Sequence, residues 1–159
     1  MQDTVTIRSE SWDAPDGAAL RTAQRVELDA RYGCDDHEPG SAPTAADVAT
    51  FLVARDGSGT ALGCGGLRLL DAGCADRKCK AEIKRMYVAP TARGTGVATA
   101  VLRALEDAAR TLGVTELVLE TGTAQPDAIR FYEREGYRRI ENFGAYLGSA
   151  ISVCYGRTL

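Results

Sequence analysis

The segment Glu82–Ala98, EIKRMYVAPTARGTGVA, constrains the fold of this chain more than any other. Its first half is typical of a short strand, Arg93–Gly96 of a tight glycine turn, and Val97 begins a helical pattern. A turn that leads from a strand into a helix leaves unpaired backbone N–H groups at the positive end of the helix macrodipole. Such a site suits an anion such as a pyrophosphate. The segment therefore predicts an α/β protein with a phosphate-binding turn.

Two common classes of phosphate-binding turn do not fit these residues. A P-loop has Lys and then Ser or Thr directly after its last glycine, whereas Val97 and Ala98 follow Gly96 here. A dinucleotide-binding turn needs a third glycine, where this chain has Thr99. It also needs an acidic residue about 20 positions further on, and the residue there, Glu116, stands where the following strand only begins. An ordinary strand-to-helix turn without a ligand is the remaining alternative.

Two motifs together favour one family. The stretch Arg93–Ala98, RGTGVA, resembles the acetyl-CoA pyrophosphate loop of the GNAT superfamily of N-acetyltransferases. The later stretch Ala128–Tyr137, AIRFYEREGY, resembles the second signature of that family. The resemblance is strong over Ala81–Ile140 and extends plausibly to the whole chain. One departure is Thr91, which stands where the family often has Gln or Arg.

The resemblance implies an acetyl-CoA-dependent N-acetyltransferase that acts on a primary amine, expected to be a small cationic molecule, by direct transfer in a ternary complex. In this family the strand before the loop splays from its neighbour, often at a bulge, and its backbone pairs with the pantetheine arm. Two alternatives stay open: a non-catalytic module that senses acyl-CoA, and an enzyme that acetylates a peptide N-terminus or a lysine. The cofactor-binding residues implied are Met86, Tyr87, Val88, Arg93, Gly94, Thr95, Gly96, Val97, Ala98, Gln125 and Tyr132.

The chemistry of acetyl transfer indicates which side chains to seek. A lysine-type amine has a pKa of about 10.4, so a base must remove its proton. The resemblance points first to Glu82, six residues before Val88, and second to Glu120 on the next strand; a simple ion pair with a nearby lysine is the alternative for Glu82. Tyr132 is the candidate acid for the leaving thiolate, because a phenol with a pKa of about 10 is protonated at neutral pH. Packing in the core is the alternative for this tyrosine.

Length and composition bound the remaining possibilities. A chain of 159 residues with 45% hydrophobic and 26% charged residues predicts one compact domain over 1–159. No apolar run reaches the length of a membrane span, and the first residues lack the pattern of a signal peptide, so a cytoplasmic protein is expected. The pI of about 5.2 argues against a nucleic-acid partner. A homodimer is possible.

Charge is distributed unevenly along the chain. Residues 1–60 carry a net charge of −6 and residues 61–159 a net charge of +3. An acidic front half and a basic back half fit a cationic substrate that meets an anionic cofactor. Ordinary solvation of surface charges explains the asymmetry equally well.

Cysteine and histidine contribute little to the prediction. The five cysteines are irregularly spaced, which favours reduced thiols over a disulfide framework. Four possible zinc ligands exist on paper, Cys34 with His37 and Cys74 with Cys79. Because the two pairs lie in separate predicted loops, no metal is expected. His37 is predicted to be solvated in its acidic loop.

The periodicity of the apolar residues predicts a mixed α/β fold: a central, mostly antiparallel sheet with one parallel β-α-β pair and helices on both faces. Helices are predicted at Asp16–Tyr32, Gly96–Leu112 and Asp127–Glu135, and a polar loop at Asp71–Lys80. Strands are predicted at Thr4–Arg8, Asp47–Asp56, Thr60–Leu70, Ala81–Val88, Thr115–Thr121, Tyr137–Glu141 and Ser149–Gly156.

Overall fold

The computed structural model describes residues 4–70 and 78–159. Its seven strands form one sheet in the order β1-β2-β3-β4-β5-β7-β6. The strands are β1 (Thr6–Ser9), β2 (Val48–Arg55), β3 (Ala61–Leu69), β4 (Lys80–Val88), β5 (Glu116–Gly122), β6 (Arg138–Ile140) and β7 (Ser152–Thr158). The helices are α1 (Pro15–Tyr32), α2 (Val97–Thr111) and α3 (Pro126–Arg134), with short 3-10 turns at Pro90–Ala92 and Gly144–Tyr146.

The predicted fold class is confirmed, since all neighbouring strands pair antiparallel except β4 and β5, which are parallel. The largest boundary error is in β7, which begins at Ser152 rather than at Ser149. The Asn142 side-chain amide donates to the carbonyl oxygens of Tyr146, Ser149 and Ser152, and so holds the preceding residues in a turn. Most of the loop predicted at Asp71–Lys80 lies outside the described residues.

Helices cover both faces of the sheet, and each face has its own core. On one face α2 and α3 cover the larger core, where Val101, Leu102 and Leu105 are fully buried. Their spacing places them on one side of α2, which is why this amphipathic helix packs flat on the sheet. On the other face Leu20 of α1 packs with Phe51 in a smaller cluster.

The parallel pair opens halfway along its length. Pairing runs from Lys80 opposite Glu116 to Ile83 opposite Leu119, and β4 and β5 then continue without facing each other. A register shift against β3 falls in the same part of β4, and Arg85 there has a φ of 57°. A bulge of this kind bends the strand and ends its pairing. The expected splay is therefore present, and it opens a gap in the middle of the sheet.

One expectation about the cysteines is wrong. Cys79, which is almost fully buried, is bonded in a disulfide, whereas Cys34, Cys64 and Cys154 are free thiols. Cys74, proposed on paper as a zinc ligand, lies outside the described residues.

Within residues 4–70 and 78–159, no helix combines the length and the apolar character needed to cross a bilayer.

Candidate active site

A cleft of about 390 Å³ lies between α1, the end of β4, the start of α2 and α3. Ten of the predicted cofactor residues line it: Met86, Tyr87, Val88, Arg93, Gly94, Gly96, Val97, Ala98, Gln125 and Tyr132. Thr95 does not, because its hydroxyl turns away and donates a short hydrogen bond to the carbonyl oxygen of Ala92. The fold thus brings residues from three separate parts of the sequence to one cavity.

The loop end of the cleft is built to accept an anion. Gly94 and Gly96 have φ angles of 76° and 88°, in the left-handed region that glycine adopts without strain. The space that a Cβ would occupy at either position is empty. Gly96 is also the N-cap of α2, where no side chain caps the helix and no acidic residue lies in the first turn. The free N–H groups and the positive helix end suit a pyrophosphate.

Arg93 is held beside this loop by two contacts. Its guanidinium lies 2.7 Å from the Glu27 carboxylate and donates from Nε to the Val88 carbonyl oxygen at 3.0 Å. Glu27 also pairs with Arg31 at 3.3 Å, and Arg31 pairs with Asp127 at 2.9 Å. A chain of ion pairs therefore connects the loop, α1 and the start of α3 along one side of the cleft.

Gln24 of α1 is a site residue that the sequence analysis missed. Its Nε2 donates to the carbonyl oxygen of Met86 at 2.9 Å, on the part of β4 that has left β5. Its Oε1 is buried and has no hydrogen-bond partner among the described residues. The helical pattern of α1 could have placed Gln24 on the inner side of the helix, but only the fold shows that it meets β4.

A second cavity of about 100 Å³ continues from the cleft into the gap between β4 and β5. Six residues line both spaces: Gln24, Leu28, Met86, Gln125, Ala128 and Tyr132. The second cavity, called the inner cavity below, is otherwise mostly polar, with Lys84 and Arg85 on the β4 side and Glu120 and Thr121 on the β5 side.

Glu120 reaches the inner cavity from β5. Its carboxylate accepts one hydrogen bond, from the Ser152 hydroxyl at 2.8 Å. Burial raises its pKa to about 7, against smaller lowering effects from Ser152 and from the charge of Lys84. A carboxylate with this pKa can hold or release a proton near neutral pH, as a general base must.

Glu82, the other predicted base, has a different environment. It is 1% exposed and lines neither the cleft nor the inner cavity. Its carboxylate accepts hydrogen bonds from Arg68 at 2.9 Å and from the Tyr146 hydroxyl at 2.6 Å, and Lys84 Nζ lies 3.7 Å away. It borders a separate surface pocket of about 320 Å³ instead.

Tyr132 lies where the cleft and the inner cavity meet. Its ring packs edge-on against Phe131 and Tyr137, with centroids 5.2 and 5.8 Å away. No residue in the described part of the chain makes a hydrogen bond to its hydroxyl. Burial raises its pKa well above the usual value for a phenol, so the hydroxyl remains protonated and free to donate.

The prediction that His37 is solvated is wrong. It is 7% exposed, its Nε2 lies 2.6 Å from Asp29, and its ring stacks on Tyr32 at 4.9 Å between centroids. The loop after α1 folds back over the helix and takes the imidazole with it. This burial follows from contacts between segments, which the acidic composition of the loop does not reveal.

Comparison with known proteins identifies the family to which this chain belongs. The chain matches the Acetyltransferase (GNAT) family over residues 7–137 and belongs to that family. The predicted enzyme class and its cofactor, acetyl-CoA, are confirmed by this match.

The chain is 42% identical over 103 residues to an IAA acetyltransferase of Azospirillum brasilense, a match covering 65% of this chain and 63% of that protein. It is 33% identical over 94 residues to an N-acetyltransferase of Schizosaccharomyces pombe, with 58% and 54% covered.

These matches span somewhat more than half the length of the two curated relatives. Solved structures match over almost the whole chain. A Klebsiella pneumoniae protein named as an acyl-CoA N-acyltransferase has a TM-score of 0.79 at 32% identity, covering 98% of both chains. A GNAT acetyltransferase of Elizabethkingia anophelis, solved with acetyl-CoA bound, has a TM-score of 0.71 at 17% identity over 99% of this chain and all of that one. The latter likeness concerns the fold.

Proposed function

We propose that this protein transfers the acetyl group of acetyl-CoA directly to a primary amine while both substrates are bound. One observation carries the proposal: the anion-binding loop and a carboxylate with a pKa of about 7 lie at opposite ends of one continuous space, with Tyr132 between them. A cofactor and an acceptor that enter from the two ends would meet at Tyr132. The proposed acceptor is a small molecule, because the inner cavity is narrow.

The loop at Gly94–Ala98 would hold the pyrophosphate, and the pantetheine arm would run along Met86–Val88, where β4 has no strand partner on the side of β5. In the transfer itself, the amine nitrogen forms a bond to the thioester carbon and the carbon–sulfur bond breaks. One proton of the ammonium goes to Glu120 before the nitrogen attacks. The Tyr132 hydroxyl gives its proton to the CoA thiolate, which leaves as the thiol, and the second nitrogen proton, lost as the amide forms, restores the Tyr132 hydroxyl.

Glu120 is proposed as the base in preference to Glu82. A base must reach the acceptor nitrogen directly or through one water. Glu120 lines the inner cavity and accepts a single hydrogen bond, whereas Glu82 is closed off by Arg68 and Tyr146.

The test is the release of free CoA thiol from acetyl-CoA in the presence of a panel of amino acids, polyamines, aminoglycosides and short peptides. Release that requires both substrates, with the acetylated amine identified by mass spectrometry, supports the proposal. A sensing module would bind acetyl-CoA, seen as a rise in melting temperature, and release no thiol above background with any acceptor. That outcome would overturn the enzymatic proposal.

A further inference from the structure

Two cations in the wall of the inner cavity share one carboxylate. Lys84 and Arg85 both pair with one carboxylate, Glu38, at 2.7 and 2.8 Å, and Arg25 approaches the same carboxylate at 3.5 Å. The bulge in β4 produces this arrangement, because it turns two consecutive side chains toward one residue. The pKa of Glu38 is lowered by these cations against the effect of its burial.

An excess of positive charge appears when the connected ion pairs are followed outward. Among the described residues, the cations of this network are Arg25, Arg68, Lys84 and Arg85, and the anions are Asp29, Glu38 and Glu82. Counted over these arginine, lysine and carboxylate groups, the network carries one positive charge more than it carries negative charges. Glu120 is outside these ion pairs and is neutral whenever it holds a proton.

Two buried polar atoms in the wall have no partner in the described part of the chain. They are the Thr121 hydroxyl oxygen, in a side chain 4% exposed, and Gln24 Oε1. A buried polar group without a hydrogen bond costs free energy, so proteins rarely leave one unless a ligand or water satisfies it. The residues that carry these two oxygens line the inner cavity together with Lys84 and Arg85, although the oxygens themselves are closed to solvent.

From these contacts we infer that the acceptor carries a carboxylate next to its amine, as a free amino acid does. The carboxylate would bind Lys84 and Arg85, and the amine would face Glu120 and Gln24 Oε1. This inference rests on the proposed function. It differs from the sequence-based expectation of a small cationic acceptor. A diamine would bring a second positive charge close to Lys84 and Arg85, and like charges repel.

The decisive experiment compares acceptors on the unaltered protein. Each pair differs only in the carboxylate: L-alanine and ethylamine, L-phenylalanine and phenethylamine, and L-lysine and cadaverine. L-Phenylalaninamide, in which a neutral amide replaces the carboxylate, is a further comparison. The expected kcat/KM is about 10 to 100 times higher for the preferred amino acid than for its decarboxylated partner, as loss of a charge-assisted hydrogen bond implies. Equal or higher kcat/KM for the decarboxylated amine in every pair overturns the inference while leaving the proposed function intact. No thiol release with any acceptor overturns both.

Two variants test which side chains bind the carboxylate. Lys84→Gln and Arg85→Gln should each raise the KM of the amino acid about 10-fold. Both should leave the KM of acetyl-CoA nearly unchanged, and both should change the KM of the decarboxylated amine much less than that of the amino acid. Arg25→Gln is the matched control, since Arg25 contacts the same Glu38 but does not line the inner cavity. An equal loss in Arg25→Gln would show that only the stability of the ion-pair network matters, and would overturn the assignment.

Acceptor binding can be measured separately from turnover, in variants that are shown to be folded. Calorimetric titration of the amino acid into the protein with CoA present measures acceptor binding without turnover. Binding by the unaltered protein and weaker binding by a Lys84→Gln or Arg85→Gln protein with an ordinary melting transition support the inference. Unchanged binding by both folded variants contradicts it.

Discussion

Each half of the β4–β5 pair carries a buried carboxylate, and the two carboxylates differ in their hydrogen-bond partners and surroundings. In the paired half, Glu82 is fully enclosed and bonded to Arg68 and Tyr146. In the open half, Glu120 has one hydroxyl partner and borders a cavity. The residue type and the sheet are the same. Where β4 and β5 pair, the carboxylate is held by hydrogen bonds, and where they separate, it lines a cavity in which we propose that it acts as the base.

The same contrast applies to the backbone. On its β5-facing edge, the paired half of β4 forms hydrogen bonds with β5. The open half of that edge accepts a hydrogen bond from Gln24 at Met86 and otherwise faces the cleft. A single bulge at Arg85 separates the paired half of β4 from the open half. Opening a parallel pair costs hydrogen bonds, and the polar groups that it exposes become the walls of the proposed site.

Glu120→Gln should have the largest effect, because it removes the proposed base from the open half. We expect kcat to fall about 1000-fold, within the range for loss of general base catalysis. In the unaltered protein, kcat/KM should rise as the pH increases through about 7, where Glu120 loses its proton. The pH–rate profile of the variant should lack this step. A profile that keeps the step assigns it to another group.

The same substitution should increase stability at high pH. The folded pKa of Glu120, about 7, is raised from 4.5, so between these values the folded protein binds the proton more tightly than the unfolded chain does. The unaltered protein therefore loses stability as the pH rises through that window. At pH 8 the variant should be more stable by about 1 to 2 kcal/mol in urea unfolding, allowing for partial solvent screening.

Glu82→Gln tests the paired half, and its effect should fall on stability. Removing this charge leaves the partly buried Arg68 against a neutral amide, which costs about 2 kcal/mol. Urea unfolding measures this loss, and kcat per folded molecule should fall far less than in Glu120→Gln. If Glu82→Gln instead abolishes turnover in a folded protein, the roles of the two carboxylates are reversed.

Tyr132→Phe should reduce kcat about 100-fold with little change in acetyl-CoA affinity. The effect is smaller than that of the base because a thiolate, whose conjugate acid has a pKa of about 8.5, can leave partly unaided. Tyr137→Phe is the matched control: its hydroxyl donates to Glu106 at 3.2 Å and lines neither the cleft nor the inner cavity. Similar losses of kcat in both variants would indicate a packing role for Tyr132.

Gly96→Ala should have the smallest effect, a decrease of about 10-fold in acetyl-CoA affinity measured by calorimetry. A methyl group at this φ costs about 1 kcal/mol and points into the space meant for the pyrophosphate. Gly33→Ala carries the same strain, with a φ of 70° at the end of α1 and no neighbour near the added methyl group. Its cofactor affinity should not change. Equal losses in both variants would remove the anion-binding role of Gly96.

Much of the cofactor end could be predicted from sequence. The glycines of Arg93–Gly96 and the helix that follows are neighbours in the chain, so local rules of turn and helix geometry apply directly. Thr95 is the exception, since a hydrogen bond to Ala92 turns it away from the cleft. The acceptor end was predicted less well. Lys84 and Arg85 were not identified as site residues, and His37 was placed in solvent.

The sequence by itself determined the mixed α/β fold, the family and the loop that suits a pyrophosphate, because these depend on periodicity and on residues adjacent in the chain. Only the tertiary structure decided which of the two carboxylates lines the inner cavity. That choice depends on the bulge at Arg85, which resets the alternation of side chains along β4. It depends also on α1, the loop after it and β7, which bring Gln24, Glu38 and Ser152 to one cavity from distant positions. Burial and pairing of charges are properties of that assembly, and no local pattern encodes them.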